Sequence, residues 1–342
     1  MEMKMKEEQI QEEVRYFNCQ LSELIEQKMR CESNKILFDA LNYIRETGGK
    51  RLRPIICLLS AEAVGGSRDK ALSTAIAIEL LHNATLVHDD IIDENYVRRK
   101  KPSNPMRYGE KRAIVIGDLL LGLSCEMLGR CGEPEVIRLV TRAISDIAMG
   151  QYLEFTLRLQ DLQEATEHLY MEIAELKTAS AFMASAEAGA MLGCGSELES
   201  EKLRNYGKNM GMAYQIQDDV LDICGDPTMT GKTVGLDIKN GERTILVIHA
   251  LSHSNPSERA YIEEIMTRKG DVGSSEIARV REIFITSRSI HYAITLSNGL
   301  VKGAKNSIEG LEDSEARRKL LFIADLAARR IEEQAMDTFI RQ

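Results

Sequence analysis

The sequence predicts an all-α globular protein, and three observations support that fold class. Apolar residues make up 44% of the 342 residues, only 6 are proline and none is tryptophan, a composition that favours helices over strands. Apolar side chains recur at helical spacing along most of the chain. No strand-like alternation is sustained anywhere. A sizeable helical core is therefore expected.

Glycines and prolines divide this pattern into helices. An amphipathic helix at 5–30 is expected to pack on the bundle or on a partner subunit, and a helix at about 33–46 ends at Gly48-Gly49. Further helices are predicted at about 54–64, 69–94, 110–129, 134–160, 163–192, 199–224, 242–252, 256–268, 274–300, 303–310 and 314–341. No break resembles a linker, so a single domain, 1–342, with an N-terminal packing helix at 1–30, is predicted.

Charge and hydropathy exclude several classes of protein. A net charge of −9 argues against a general nucleic-acid binder. The charged N-terminus does not resemble a signal peptide, and the longest apolar stretch, 113–129, is too short and too charged to span a membrane. Seven cysteines without a Cys-x-x-Cys pair are expected to be buried in a reducing compartment. A cytoplasmic protein without nucleic-acid partner or membrane segment is predicted.

One acidic motif, Asp-Asp-x-x-Asp, occurs twice, at Asp89 to Asp93 and at Asp218 to Asp222. In each copy the first and last aspartates are four residues apart, so they stack on one helix face and repel each other unless a cation is present. Mg²⁺ fits better than Ca²⁺, because it takes one or two protein carboxylates and completes its shell with water and phosphate oxygens. Two helices that together hold a diphosphate through metal ions are therefore predicted.

Two other interpretations of these motifs are a solvated helix face and a zinc site. A single copy is equally consistent with a solvated helix face, but two copies in matching apolar surroundings favour metal binding. His88 beside the first copy suggests zinc, yet no second His or Cys lies at ligand spacing.

Basic residues accompany the acidic motifs. Lys50, Arg51 and Arg53 lie at a glycine-ended turn and helix start, which favours a phosphate, although a solvated turn is the alternative. Arg98 and Arg99 follow the first motif directly and can reach the same anion.

Three further polar positions belong with the second motif. Lys177-Thr178 lies among alanines, so the lysine needs a route to water or a bound anion. Gln215 precedes Asp219 by one turn, where a core amide is the alternative. Lys232 lies in a glycine-flanked loop that lacks the spacing of a Walker P-loop but can close on a phosphate.

In their order along the chain, these motifs resemble the trans-isoprenyl diphosphate synthases. The resemblance is nearly full length and rests on Gly48 to Pro54, His88 to Asp93, Arg98-Arg99, Gly117-Asp118, Gly150-Gln151, Lys177-Thr178, Gln215 to Asp222, and Gly231 to Asp237. It implies a single large helical bundle of the isoprenoid synthase type around a central cavity, usually a homodimer. It also implies Mg²⁺-dependent head-to-tail (1'-4) condensation of isopentenyl diphosphate with an allylic diphosphate.

The resemblance also implies roles for individual residues. The aspartates that would bind two or three Mg²⁺ ions on the allylic diphosphate are Asp89, Asp93, Asp218 and Asp222, supported by Asp90 and Asp219. The cations that would contact this diphosphate are Arg98, Lys177 and Lys232. The isopentenyl diphosphate pocket would comprise Lys50, Arg53, His82 and Arg99. Thr178 and Gln215 would position and stabilise the allylic carbocation.

Three positions depart from the family pattern. Lys100 stands where glycine is usual, Pro105 where histidine is frequent, and Glu242 where lysine is common. None removes a metal ligand, but Glu242 removes one expected phosphate contact, for which Arg243 is a candidate substitute.

Product length depends, in the family, on the residues that precede the first aspartate motif. Here Ala84 and Thr85 are small, which disfavours a farnesyl stop, and Leu81 and Ile78 are moderate plugs one turn deeper. Products of about C20 to C30, geranylgeranyl or geranylfarnesyl diphosphate, are expected from the reach along the helix. Alternatively, residues of the helix at 119–127 or of a partner subunit limit the length of the growing chain.

The sequence is also compatible with functions other than synthesis of a C20 to C30 product. A farnesyl diphosphate synthase is the nearest alternative. A class I terpene cyclase shares the first motif but typically carries an Asn/Ser/Glu motif on the second helix. A non-catalytic subunit of a heteromeric synthase, or a plain helical scaffold, would differ from the predicted prenyltransferase in lacking activity when purified alone.

Overall fold

The protein is helical almost throughout, as predicted. The computed structural model describes residues 2–31, 35–226, 234–268 and 271–334. The helices are α1 (Glu2–Cys31), α2 (Lys35–Thr47), α3 (Leu52–Ala63), α4 (Arg68–Ile92), α5 (Asn104–Tyr108), α6 (Glu110–Gly129), α7 (Pro134–Leu159), α8 (Glu167–Ala174), α9 (Ser180–Leu192), α10 (Glu197–Cys224), α11 (Leu236–Asn240), α12 (Ile245–His253), α13 (Pro256–Thr267), α14 (Ser274–Thr286), α15 (Ser289–Ser307) and α16 (Glu315–Gln334).

Most predicted helix bounds agree with the structure to within about three residues, and three predicted helices differ from it. The predicted helix at 163–192 is divided into a 3₁₀ turn (Leu162–Glu164), α8, a π-helical turn (Glu175–Ala179) and α9. The helices predicted at 274–300 and 303–310 are instead α14 and α15, because the chain turns at Arg288, whose φ is 59°.

The loop at 97–102 forms a minimal antiparallel hairpin of β1 (Val97–Arg98) and β2 (Lys101–Pro102). Its turn residues Arg99 and Lys100 have φ of 52° and 64°, the left-handed conformation that two-residue hairpin turns require. Lys100 therefore adopts a backbone conformation that is strained for most residues but not for glycine. This explains why glycine would be usual at this position in the family that the sequence resembles.

The chain divides into two compact units by its internal contacts. The first unit comprises 1–144, 181–205 and 307–323, and the second comprises 145–180, 206–306 and 324–342. The prediction of one domain stays a prediction.

The first unit is built around α4, which packs along α6 and α3. Ser124 on α6 donates a buried hydrogen bond of 2.8 Å to the carbonyl of Ala77 on α4. On the other side of α3, a Cβ on Gly189 of α9 would lie 2.1 Å from the carbonyl oxygen of Cys57, so only glycine allows this close approach. These contacts hold α4 tightly against α6, and α3 tightly against α9.

The second unit has its own core. There α12 packs against α8, α13 and α14. The buried amide of Gln217 on α10 donates at 3.0 Å to both Ser297 on α15 and the carbonyl of Ala327 on α16. These hydrogen bonds fix the rotation of α10, and with it the direction of the second acidic motif.

Two other expectations bear on surfaces. Across the described ranges, no helix is both long and apolar enough to cross a membrane. Burial was expected for the cysteines and holds for Cys57 and Cys224, but Cys19, Cys125 and Cys194 are exposed; for these three the expectation is wrong.

Candidate active site

The first acidic motif lies at the C-terminal end of α4. Asp93 caps the helix, with its N–H donating to the carbonyl of Asp89 at 2.8 Å. The negative end of the helix dipole disfavours carboxylates unless a cation is present. Asp89 and Asp93 are both half-buried, so they are accessible to an ion. The helix end and the spacing of these two aspartates together favour cation binding.

The middle aspartate of the first motif has a different environment. Asp90 is only 1% exposed. Its oxygens accept hydrogen bonds of 2.7 to 2.9 Å from the guanidinium of Arg98 on β1, and Asn95 donates to it at 3.0 Å. Such a forked ion pair fixes the arginine in position. The structure thus places Arg98 next to the motif, and the supporting role of Asp90 in metal binding stays a prediction.

Arginines converge on His82, about two helix turns before the motif. His82 Nε2 lies 3.2 Å from Arg53 Nη1, and Arg53 lies 4.3 Å above the ring of Phe182. Burial, followed by the charge of Arg53, lowers the pKa of His82 well below its usual value. The other cations that act on it are Arg99, Arg98 and Arg51. His82 is therefore neutral at physiological pH and accepts a hydrogen bond from Arg53.

The glycine turn before α3 lies against this group of arginines. The Arg99 guanidinium donates to the carbonyl of Gly48, and a Cβ on Gly49 would lie 2.6 Å from Arg99 Nη1. Gly49 also has φ of +132°, a backbone conformation in which an L side chain is strained. Lys50 is exposed beside this turn. We name Arg53, His82, Arg98 and Arg99 the His82 pocket, a concentration of positive charge suited to a phosphate.

His88 does not contribute to a zinc site within the described residues. Its Nε2 lies 3.3 Å from the carbonyl of Ile114 and 3.7 Å from Asp118 on α6. A Cβ on Gly117 would lie 2.1 Å from the same nitrogen. Gly117 and Asp118 therefore accommodate His88 between α4 and α6, which gives this glycine-aspartate pair a structural reason.

A pH dependence of stability follows from His82. Because its pKa is lowered in the folded protein, the unfolded chain takes up this proton first as pH falls. The contribution of His82 to the free energy of unfolding is complete above pH about 6.5. It declines below that pH by up to about 1.4 kcal/mol per pH unit. We expect the urea midpoint to fall between pH 7 and pH 5 in the wild-type chain and less steeply in His82→Gln. The exposed His168 provides a control, since His168→Gln should keep the wild-type slope; equal slopes for all three proteins would contradict the prediction.

The second acidic motif lies at the C-terminal end of α10, in the second unit. Its middle member, Asp219, is 4% exposed and accepts hydrogen bonds from Tyr170 (2.7 Å) and Gln215 (2.9 Å). Gln215 accepts in turn from Thr178 at 2.6 Å. Burial, followed by the charge of Asp237, raises the pKa of Asp219 to about 8. The structure thus connects Thr178 and Gln215 to the motif through one chain of hydrogen bonds.

The outer aspartates of this motif differ from each other. The side chain of Asp218 is 43% exposed. Asp222 is 8% exposed and accepts from the backbone N–H groups of Leu236 and Asp237, both at 3.2 Å. Asp222 therefore caps α11 and fixes the start of that helix. The metal ligation predicted for Asp222 stays a prediction.

Lys177 lies in the π-helical turn, a rare element that is frequent at functional sites. Its Nζ donates to Glu154 Oε2 at 2.5 Å. The anion that pairs with Lys177 in the structure is therefore Glu154 of α7. A Cβ on Gly150 would lie 2.5 Å from the backbone nitrogen of Lys177, so glycine allows α7 to approach the π turn.

Glu242 belongs to the same cluster of charged side chains as Lys177 and Glu154. It pairs with Arg158 on α7, which also contacts Glu154 at 3.3 Å. Burial, followed by the charge of Glu154, raises the pKa of Glu242. Arg243 instead donates to the carbonyl of Gly241 at 3.0 Å. Arg158 is therefore the cation that pairs with Glu242, and a phosphate contact by Arg243 stays a prediction.

Several contributing residues were missed by sequence reasoning. Tyr170, Glu154 and Arg158 lie far from the acidic motifs in sequence and carry no motif of their own, so only the fold could identify them. Lys232 lies outside the described residues.

The carboxylates fit a magnesium ion in donor chemistry. Among the described residues, no group of three or more His, Cys, Asp or Glu side chains forms a metal-holding cluster. Mg²⁺ does not require one, because one or two carboxylates with phosphate oxygens and water complete its octahedral shell. Asp89 with Asp93 in one unit, and Asp218 with Asp222 in the other, are the residues that would hold it.

Comparison with known proteins agrees with these features. The polyprenyl synthetase family model matches residues 34–284. A short chain isoprenyl diphosphate synthase of Methanothermobacter thermautotrophicus is 36% identical over 90% of this chain and 96% of its own. An octaprenyl diphosphate synthase of Escherichia coli is 32% identical over 84% and 88%.

A solved structure extends this likeness to the fold. Polyprenyl synthase from Caulobacter crescentus, complexed with calcium and isoprenyl diphosphate, superposes with a TM-score of 0.86 at 30% identity, over 93% of this chain and 97% of that one. Fold, motifs and sequence relatives agree, and the chain belongs to the polyprenyl synthetase family of trans-prenyltransferases.

Proposed function

We propose that the chain catalyses Mg²⁺-dependent head-to-tail condensation of isopentenyl diphosphate with an allylic diphosphate. The product would be an all-trans polyprenyl diphosphate of about C20 to C30, by the reach of α4 before the first motif. The observation that carries the proposal is the His82 pocket beside the first acidic motif, all within one unit. Two or three bound Mg²⁺ ions, a homodimer and a cytoplasmic location form part of the same proposal.

The charges of the site match the chemistry of this reaction. Breaking the allylic carbon–oxygen bond leaves negative charge on the departing diphosphate, which bound Mg²⁺ would neutralise. In the first unit, Arg98, held by Asp90, is a fixed cation that would stabilise this charge without reorganisation. In the second unit, Lys177, held by Glu154, is a fixed cation that would contact a diphosphate.

The second substrate would use the His82 pocket. Arg53 and Arg99 would bind the diphosphate of isopentenyl diphosphate, with exposed Lys50 beside them. Because His82 is neutral, it orients Arg53 without adding a charge. The C4 carbon of the alkene then attacks the allylic C1', forming one carbon–carbon bond as the carbon–oxygen bond breaks. The proton lost from C2 would pass to the departing diphosphate.

The hydrogen-bonded pair of Thr178 and Gln215 would face the allylic carbon. Their oxygens carry partial negative charge but are too weakly basic to remove a proton. They can therefore stabilise a cation without quenching it. Exclusion of water during the step protects that cation from hydrolysis.

A direct assay tests the proposal. The purified chain would be incubated with Mg²⁺, labelled isopentenyl diphosphate and, in parallel, C5, C10, C15 and C20 allylic primers, and the dephosphorylated products resolved by length. A ladder that ends at one length would support a synthase and identify its product. An end at C15 would favour a farnesyl diphosphate synthase. No incorporation from any primer would favour a non-catalytic subunit.

The residues proposed to limit chain length differ in burial. Ala84, Leu81 and Ile78 are at most 1% exposed, while Thr85 is half-buried. A large side chain at Ala84 would overpack the core at a cost of about 1–3 kcal/mol. Thr85 is therefore the better position for a probe.

We expect Thr85→Phe to shorten the product by at least one C5 unit, because the ring would project into the space proposed for the growing chain. The measurement is the product ladder described above. Thr85→Val has nearly the same volume and loses only a hydroxyl that donates to the carbonyl of His82 within α4, so its products should match the wild type. An unchanged distribution in Thr85→Phe would place the floor elsewhere, such as at 119–127.

A further inference from the structure

An arginine of α16 contacts the first carboxylate of the second motif. The Nη2 group of Arg330 pairs with Asp218 Oδ1. Its Nη1 group donates to the carbonyl of Tyr214 at 3.4 Å, and its guanidinium carbon lies 4.8 Å from the centre of the Tyr214 ring. The Arg330 side chain is only 13% exposed. Three contacts with α10 therefore hold this guanidinium in one place.

Asp218 is exposed where its partner is buried. Its side chain retains 43% of its accessible surface, so an ion can reach the carboxylate while Arg330 holds it from the protein side. The neighbouring Asp219 is turned inward toward Tyr170 and Gln215. Of the two adjacent aspartates, Asp218 is thus the one both accessible and oriented by a cation.

We propose that Arg330 is a positioning residue, which holds the carboxylate of Asp218 in the orientation in which it binds Mg²⁺. The inference rests on the proposed function, since it requires Asp218 to be a metal ligand. Partners that hydrogen-bond to a ligand orient it, and their removal typically costs about 10–100-fold in metal affinity or activity. The forked guanidinium suits the task, because it bonds the carbonyl of Tyr214 and the carboxylate of Asp218 at once, which the single ammonium of lysine cannot do in the same geometry.

The sign of the effect separates positioning from electrostatics. If Arg330 acted only through its charge, its removal would make the surroundings of Asp218 more negative and tighten cation binding. If it acts by orientation, its removal loosens the carboxylate and weakens binding. A purely structural tether of α16 would lower thermal stability and leave metal affinity unchanged.

The test measures Mn²⁺ binding to the full-length chain by electron paramagnetic resonance, with the metal alone as probe. An Asp89→Asn/Asp93→Asn background would remove the contribution of the first motif to Mn²⁺ binding. In that background we expect Arg330→Gln to weaken Mn²⁺ affinity about tenfold. Arg330→Lys should show an intermediate loss. Arg329→Gln, which removes the same charge from the adjacent position of α16, should match its parent.

A kinetic measurement in the otherwise wild-type chain accompanies the binding test. Arg330→Gln should require more Mg²⁺ for half-maximal turnover, while KM for isopentenyl diphosphate stays within twofold. Circular dichroism would check the fold of each variant. If Arg330→Gln does not fold, Arg330→Lys decides, since it retains the charge and loses only the fork.

The outcomes separate the two proposals. Unchanged or tighter Mn²⁺ binding in the variants, alongside a wild-type chain that binds Mn²⁺ and makes product, would overturn the positioning role alone. An equal loss in Arg329→Gln would overturn it as well. A wild-type chain that neither binds Mn²⁺ nor elongates a primer would overturn the proposed function and this inference with it.

Discussion

Replacing Asp89 with alanine should reduce turnover about a thousandfold while the chain remains folded. Asp89 is half-buried at the end of α4, so its removal creates no large cavity, and the buried Asp90–Arg98 pair stays intact. The expected loss corresponds to about 4 kcal/mol of transition-state stabilisation, on the scale attributed to metal-assisted charge neutralisation. The measurement is kcat at saturating Mg²⁺ and substrates.

A matched control lies on the same helix. Asp69 is an exposed aspartate in the first turn of α4, and Asp69→Ala should retain wild-type turnover. Both variants should show wild-type circular dichroism. Turnover in Asp89→Ala within tenfold of the wild type would remove the first motif from the catalytic machinery.

Replacing Arg51 with methionine should destabilise the chain by about 3–5 kcal/mol, because it leaves a buried charge without its partner. Arg51 is 3% exposed and Glu79 2% exposed, and the two pair directly. Arg51 also donates to Asn18 and to the carbonyl of Ile44, both at 3.1 Å. The arginine therefore joins α1, α2 and α4 at the turn that precedes α3. Urea denaturation followed by circular dichroism measures the change.

Two further variants make this prediction specific. Arg51→Met/Glu79→Leu removes both charges and should recover most of the lost stability, as buried pairs replaced by apolar residues often do. Arg45 is an exposed arginine in the last turn of α2, and Arg45→Met should change stability by less than about 0.5 kcal/mol. A double variant no more stable than Arg51→Met would show that packing, rather than the unpaired carboxylate, determines the loss.

Local patterns predicted most of the fold, and the errors have physical reasons. Helices that end at glycine or begin at a capping residue were located to within a few residues. The turn between α14 and α15 was missed, because Arg288 adopts a left-handed conformation without any glycine or proline to indicate it. Pro105 departs from the expected family pattern, and it lies in the first turn of α5, where the missing N–H of proline costs little.

The candidate site was predictable to the extent that it is encoded in helical geometry. Asp89 and Asp93 share a face because they are one turn apart. Asp90 follows Asp89, and Asp219 follows Asp218, by one residue, which is about 100° around the helix. Both therefore lie on the apolar face of their helix, and this explains why both are buried. Their partners differ in origin. Arg98 lies eight residues on, whereas Tyr170 comes from another helix with no local signal.

The π-helical turn at 175–179 has a consequence for insertions and deletions. A π turn contains one residue more than the α-helical turn that it replaces. Deleting a single residue there would restore a regular helix and rotate the following side chains by about 100°. Lys177 would then turn away from Glu154, and Thr178 from Gln215. The length of the segment is therefore fixed, and we expect homologous chains with this chemistry to have the same number of residues here.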